Sequence, residues 1–117
     1  MTRLLGAAGE TKVVNYLLQD GFTIIERNYR VRAGEVDIIA QKKELLIFVE
    51  VKTRALKTEA LSEVITRSKQ KKIIFTAKHF LVTHQYKNHL YRFDVALVEG
   101  HDLTITYIPN AFSENPW

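Results

Sequence analysis

Three ionisable residues stand where apolar ones are expected: Asp37 within Val36-Asp37-Ile38-Ile39-Ala40, and Glu50 and Lys52 at the end of Leu45-Leu46-Ile47-Phe48-Val49-Glu50-Val51-Lys52. Alternate side chains of a strand share a face, so Glu50 and Lys52 point the same way, roughly 6.6 Å apart. Leu46 and Phe48 share that face, while Leu45, Ile47, Val49 and Val51 form the other, the pattern of a central strand covered on both sides. Charges at such a position are costly to desolvate unless they pair or bind an ion. A Glu50–Lys52 ion pair is one outcome. Asp37 supplies another. With a hairpin turn at Gln41–Glu44 it falls near Val49 and Glu50 on the next strand, and side chains about 5 Å apart can share one hard cation. Without a cation, two buried carboxylates repel and one must stay protonated. Mg2+ resolves that conflict.

Glu10 is a third acid. Positions 6, 10, 13, 14 and 17 form one helical stripe, which turns Glu10 inward beside Val13, Val14 and Leu17. Gly6 and Gly9 each cost a helix about 1 kcal/mol, which suggests a close approach by a backbone or a phosphate. Lys69 lies one turn before Ile73 on the apolar stripe of a second helix, either turned inward like Glu10 or with its stem snorkelling at the helix start.

The elements that must position these residues follow from periodicity. Residues 3–20 read as a helix, with Thr2 as N-cap and Gly21 as its end signal. Phe22–Val31, Val36–Ala40 and Leu45–Thr53 read as strands of an antiparallel meander. After a connection at Ala55–Ser62, a helix spans Thr66 to His84, with Ile73, Ile74, Ala77, Phe80 and Leu81 as its buried stripe. Leu90–Glu99 and Leu103–Ile108 are the last strands, turned at Gly100, and Pro109 is expected to end the regular structure. Phe112 and Trp117 are docking side chains of the tail. The order α-β-β-β-α-β-β predicts an α/β fold, a central mixed β-sheet with a helix on each face.

At 117 residues the chain is expected to be a single domain, 1–117. The absence of cysteine excludes disulfides and thiolate metal sites. The first ten residues lack the apolar stretch of a signal peptide, and the run Leu45–Val49 is too short to span a bilayer, so a cytoplasmic protein without membrane contact is expected. Charge is unevenly distributed. From Lys52 to Arg92 ten Lys and Arg face two Glu, a net +8, whereas the remainder carries seven bases against eleven acids, a net −4. That outline suits a polyanion held beside a carboxylate cation site, or equally a solvated lysine-rich helix. Within the basic stretch Arg54, Lys69, Lys72 and Arg92 are the candidate nucleic-acid contacts, although Arg92 and Asp94, on one strand face, also suit a structural ion pair near the site. Arg27, Arg30 and Arg32 lie at the hairpin beside Glu35, a position that suits solvated side chains equally well. His79, His84 and His89 are five apart, which suits no zinc site, and Gly21 and Gly34 are turn residues rather than a phosphate loop.

An acid-bearing helix followed by Asp…Glu-x-Lys resembles the PD-(D/E)xK nuclease superfamily, which implies the restriction-endonuclease-like fold. The fuller string Gly6…Gly9-Glu10, Arg27-Asn28-Tyr29-Arg30, Gly34-Glu35-Val36-Asp37-Ile38-Ile39-Ala40, Phe48-Val49-Glu50-Val51-Lys52-Thr53-Arg54, Lys69 and Arg92-Phe93-Asp94-Val95 resembles the YraN-like family, over nearly the whole chain. The resemblance implies Asp37, Glu50 and the Val51 carbonyl as ligands of Mg2+ or Mn2+. It implies Lys52 as the residue that activates water and stabilises phosphate charge, and Glu10 as the acid that completes the site. The implied activity is metal-dependent endonucleolytic hydrolysis of DNA rather than RNA, at branched structures similar to those cut by Holliday-junction resolvases. Symmetric junction cutting would require a homodimer. The alternative is a nucleic-acid-binding module of the same fold that does not cut. Two departures stand out: Val36 replaces the proline of the motif name, and Ala55–Ser62 lacks the glycine usual among YraN-like proteins.

Overall fold

The computed structural model describes residues 3–54, 64–86 and 89–114. Thr2, the connection Ala55–Ser62 and Trp117, each given a role above, lie outside the described residues.

Helix α1 covers Arg3–Gln19, and Val13 and Leu17 on its inner stripe are fully buried. Leu18, off that stripe, is half exposed. The helix ends where the Gly21 N–H reaches Leu18 O at 3.1 Å and the Phe22 N–H reaches Leu17 O at 2.9 Å, which satisfies carbonyls that have no partner of their own. Strands β1 (Thr23–Val31), β2 (Gly34–Lys42) and β3 (Leu45–Arg54) follow as the expected antiparallel meander.

Helix α2 (Arg67–Thr83) starts at Thr66, whose hydroxyl accepts the Lys69 N–H at 3.2 Å. It carries the chain back so that β4 (Leu90–Glu99) lies parallel to β3. Strand β5 (Thr104–Phe112) closes the sheet, whose spatial order is β1-β2-β3-β4-β5.

The core has two sides. Val13 and Leu17 pack on Ile38, Ala40, Ile47, Val49, Ala96 and Val98. Ile73, Ala77, Phe80 and Leu81 of α2 pack on Val36, Ile39, Leu46, Phe48 and Phe93 of the other face. β3 is buried on both faces, as its double apolar pattern requires. The architecture is the α/β fold expected, a mixed sheet flanked by a helix on each face.

One boundary differs from expectation. β5 does not stop at Pro109 but continues to Phe112, which stacks on Phe93 with ring centroids 5.2 Å apart. β5 is an edge strand, where a proline need not donate to a ladder. The register shifts between Phe93 and Val95, a bulge that includes left-handed Asn110 and carries the strand past Asp94.

Candidate metal and phosphate site

The site lies where β2 and β3 part. Their ladder ends at Ile38 opposite Val49. Beyond it β2 breaks its alternation, since Val36 and Ile39 both pack on the α2 side. Asp37 falls in this break, and its Oδ2 accepts the Val51 N–H at 2.8 Å in place of a ladder bond. The N–H and C=O of a strand residue leave on the same edge, so the Val51 carbonyl opens toward the gap as well.

A cleft of about 620 Å³ occupies the gap. Gly6 and Glu10 of α1 form part of one wall, Thr66, Ser68, Lys69 and Lys72 of the α2 start form the other, and Asp37, Glu50, Val51 and Lys52 line it from the strands. Glu50 is buried. Burial, then the charge of Glu50 and a hydrogen bond to it, push the Asp37 carboxyl up to about 8, against the pull of the Val51 N–H. At neutral pH Asp37 therefore stays largely protonated beside Glu50.

The other expected site residues are held in different ways. Lys69 does more than snorkel: its Nζ lies 2.9 Å from Glu50 Oε2, so Glu50 pairs with Lys69 and not with Lys52. Lys52 lines the cleft beside these groups. Glu10 reaches the same cleft and its charge adds to the rise at Asp37, but its carboxylate is held by Arg27 and Asn28. Among the described residues no three His, Cys, Asp or Glu side chains come close enough to hold one metal ion together, so Glu10 is not a direct partner of Asp37 and Glu50. The protein's hard donors in the gap are Asp37, Glu50 and the Val51 carbonyl. That number fits Mg2+, which usually takes one or two carboxylates and keeps several waters.

Arg54 and Arg92 do not join the cleft, contrary to expectation. Arg54 is buried and bonds Glu99 at 2.9 Å. Arg92 lies on the α1 face of β4, opposite to the face of Glu50, with Nε and Nη2 on the two oxygens of Asp94 at 2.8 and 2.9 Å. The ion pair expected there is present, but away from the site. Asp94 is fully buried and also accepts from Tyr107 Oη and the Asn110 N–H.

The profile of the Uncharacterised protein family UPF0102, the YraN-like family, matches residues 9–98. The chain belongs to this family. Curated UPF0102 proteins resemble it along almost its whole length. One from Treponema pallidum is 41% identical over 96% of this chain and 94% of its own. Another, from Caldicellulosiruptor saccharolyticus, is 44% identical over 94% and 98% respectively. A third, from Clostridioides difficile, is 43% identical over 92% and 95%.

Sequence reasoning missed three features of this UPF0102 site. The Lys69–Glu50 pair depends on where α2 docks, which periodicity does not give. The clamp on Glu10 by Arg27 and Asn28 had a faint signal, an Asn inside a strand, since Asn is among the few residues that tolerate left-handed backbone. Gly34 was read as a turn residue only. It also packs its backbone on α2, where a Cβ would meet Thr76 Oγ1 at 2.9 Å and Lys72 O at 3.1 Å.

Proposed function

We propose that this UPF0102 protein is a Mg2+- or Mn2+-dependent endonuclease that hydrolyses DNA phosphodiesters, with Asp37, Glu50 and Lys52 as catalytic residues. One observation carries the reading: a half-buried carboxylate, Asp37, and a buried one, Glu50, meet at the parting of two strands, with Asp37 pushed up to about 8. Such an arrangement is unfavourable on its own and becomes favourable around a hard cation. The bound ion would supply Lewis acidity to the phosphate and to the attacking water.

The chain's own residues do the rest. Asp37 and Glu50 hold the cation position, with Asp37 fixed by the Val51 N–H. Lys52, on the Glu50 face of β3, places an ammonium beside the charge that develops on the phosphate and orients the attacking water. Lys69 and Lys72, on the far wall, would hold the flanking backbone, and Lys69, which pairs with Glu50, would be free to turn to a phosphate once a cation neutralised that carboxylate. Branched DNA is the narrower substrate reading, with a homodimer to cut both strands.

A second reading has its own support. The ammonium of Lys69 already neutralises Glu50 at 2.9 Å, so the acids are compatible with a nucleic-acid-binding module that does not cut. Incubation with Mg2+ or Mn2+ and linear, single-stranded and four-way-junction DNA, beside Asp37→Ala and Lys52→Ala, separates the two. Metal-dependent cleavage lost in both variants supports the enzyme. Binding without cleavage on every substrate leaves the binding module.

A further inference from the structure

We infer that Asn28, together with Arg27, is a positioning residue that presents Glu10 to the cleft as its third acid; this rests on the metal-site reading above. Three donors converge on one oxygen of Glu10. Arg27 Nε lies 3.3 Å, Arg27 Nη2 3.1 Å and Asn28 Nδ2 3.1 Å from Oε1. None of these donors engages Oε2. A carboxylate held by three donors on one oxygen has a fixed orientation, and its other oxygen remains available to an ordered water of the ion's shell, since Glu10 is not placed to join Asp37 and Glu50 on the ion directly. The Glu10 side chain is only 15% exposed and lies in the cleft wall shared with Asp37 and Glu50.

Asn28 reaches Glu10 by an uncommon backbone conformation. Inside β1 its φ is +53°, left-handed, where strand residues are extended. It lies between the pairs Arg27–Ile38 and Tyr29–Val36, and so faces Asp37. Arg27 and Asn28, neighbours in sequence, both reach Glu10 on α1, whereas Tyr29 packs on the α2 side. Regular alternation forbids two consecutive side chains on one side, and the left-handed residue permits it. Backbone strain of this kind persists where the surroundings over-determine it, and it gathers at functional sites. Here its product is a second polar grip on Glu10.

The test separates side chain from backbone. Asn28→Gly keeps the left-handed conformation without steric cost and removes only the amide. Mn2+ affinity is measured by titration calorimetry on wild type, Asn28→Gly, Glu10→Gln and the double variant, with the metal-free thermal midpoint recorded for each. Asn28→Gly is expected to weaken Mn2+ binding about 10-fold, the effect of losing a partner that orients a site acid. Its metal-free midpoint should stay within about 2 °C of wild type, as expected for an exposed position. In the Glu10→Gln background the same replacement should have little further effect, because the amide acts through that carboxylate. Arg27→Gln, at another exposed residue, gives an independent reading in the same direction. Unchanged Mn2+ affinity in both Asn28→Gly and Arg27→Gln overturns the inference and leaves the metal site standing. So does an Asn28→Gly loss that persists undiminished without the Glu10 carboxylate. A wild type that binds no Mn2+ overturns the metal-site reading and this inference with it.

Discussion

The Val51 N–H donates to Asp37 Oδ2 at 2.8 Å, so a side chain stands where the β2–β3 ladder would otherwise continue. The strands can part without leaving a buried amide unpaired. In the gap they leave, Asp37 of one strand meets Glu50 of the other.

The pH dependence of metal-free stability follows from that meeting. The Asp37 carboxyl is raised from its ordinary value to about 8, first by burial and then by Glu50. Its contribution is complete below pH 4 and is lost as pH rises through about 8. The metal-free midpoint should therefore fall between pH 5 and pH 9 more steeply in wild type than in Asp37→Asn. Equal slopes by calorimetry would show that Asp37 does not titrate in this way.

Cation binding should reverse the dependence. Mg2+ or Mn2+ needs Asp37 ionised, so below pH 8 uptake should release close to one proton, read by titration in buffers of different ionisation enthalpy. The rise in midpoint on adding metal should be larger at pH 8 than at pH 6. An uptake that is independent of pH would sink the shared-cation geometry.

The two lysines nearest Glu50 should separate by function. Lys52→Ala should lower the cleavage rate about 10²- to 10³-fold with Mn2+ affinity nearly unchanged. Lys69→Ala removes the ammonium 2.9 Å from Glu50, and should tighten Mn2+ binding while weakening DNA affinity and reducing the salt slope by about one. Identical profiles for the two variants would count against the division of roles.

On the other face, Asp94 should matter for stability alone. It is fully buried and accepts from Arg92, Tyr107 and the Asn110 backbone. Asp94→Ala strands those donors and should cost about 3 kcal/mol in urea unfolding. Mn2+ affinity of the folded fraction should be unchanged.

Two glycines of α1 should respond oppositely to alanine. At Gly9 a Cβ would lie 2.1 Å from Thr53 Oγ1, so Gly9→Ala should destabilise by about 1–3 kcal/mol. Nothing lies within 4 Å of the same position at Gly6, and Gly6→Ala should gain up to about 1 kcal/mol of helix stability. Thermal midpoints of the two variants decide the point.

Much of this was legible in the residues themselves. The alternation through Leu45–Lys52 gave a two-sided central strand, and Gln41–Glu44 gave the turn that brings Asp37 to Glu50, because hairpin register is a local property. The stripe Glu10, Val13 and Leu17 oriented α1 correctly. What periodicity could not supply was tertiary. Arg54 looks like a surface cation until β4 brings Glu99 to it. Pro109 looks like a terminator until its strand proves to be an edge. Lys69 meets Glu50 only through the docking of α2.

The contact of Gly34 with Lys72 and Thr76 has a mechanical consequence. The tip of the β1–β2 hairpin bears directly on the first turns of α2, the same turns that carry Lys69 and Lys72. The hairpin and the helix are thus two sides of one joint, and neither side of the mouth can swing without pushing on the other. The gauge of the opening is set by that joint, so a DNA strand bound as proposed would have to conform to the mouth rather than spread it.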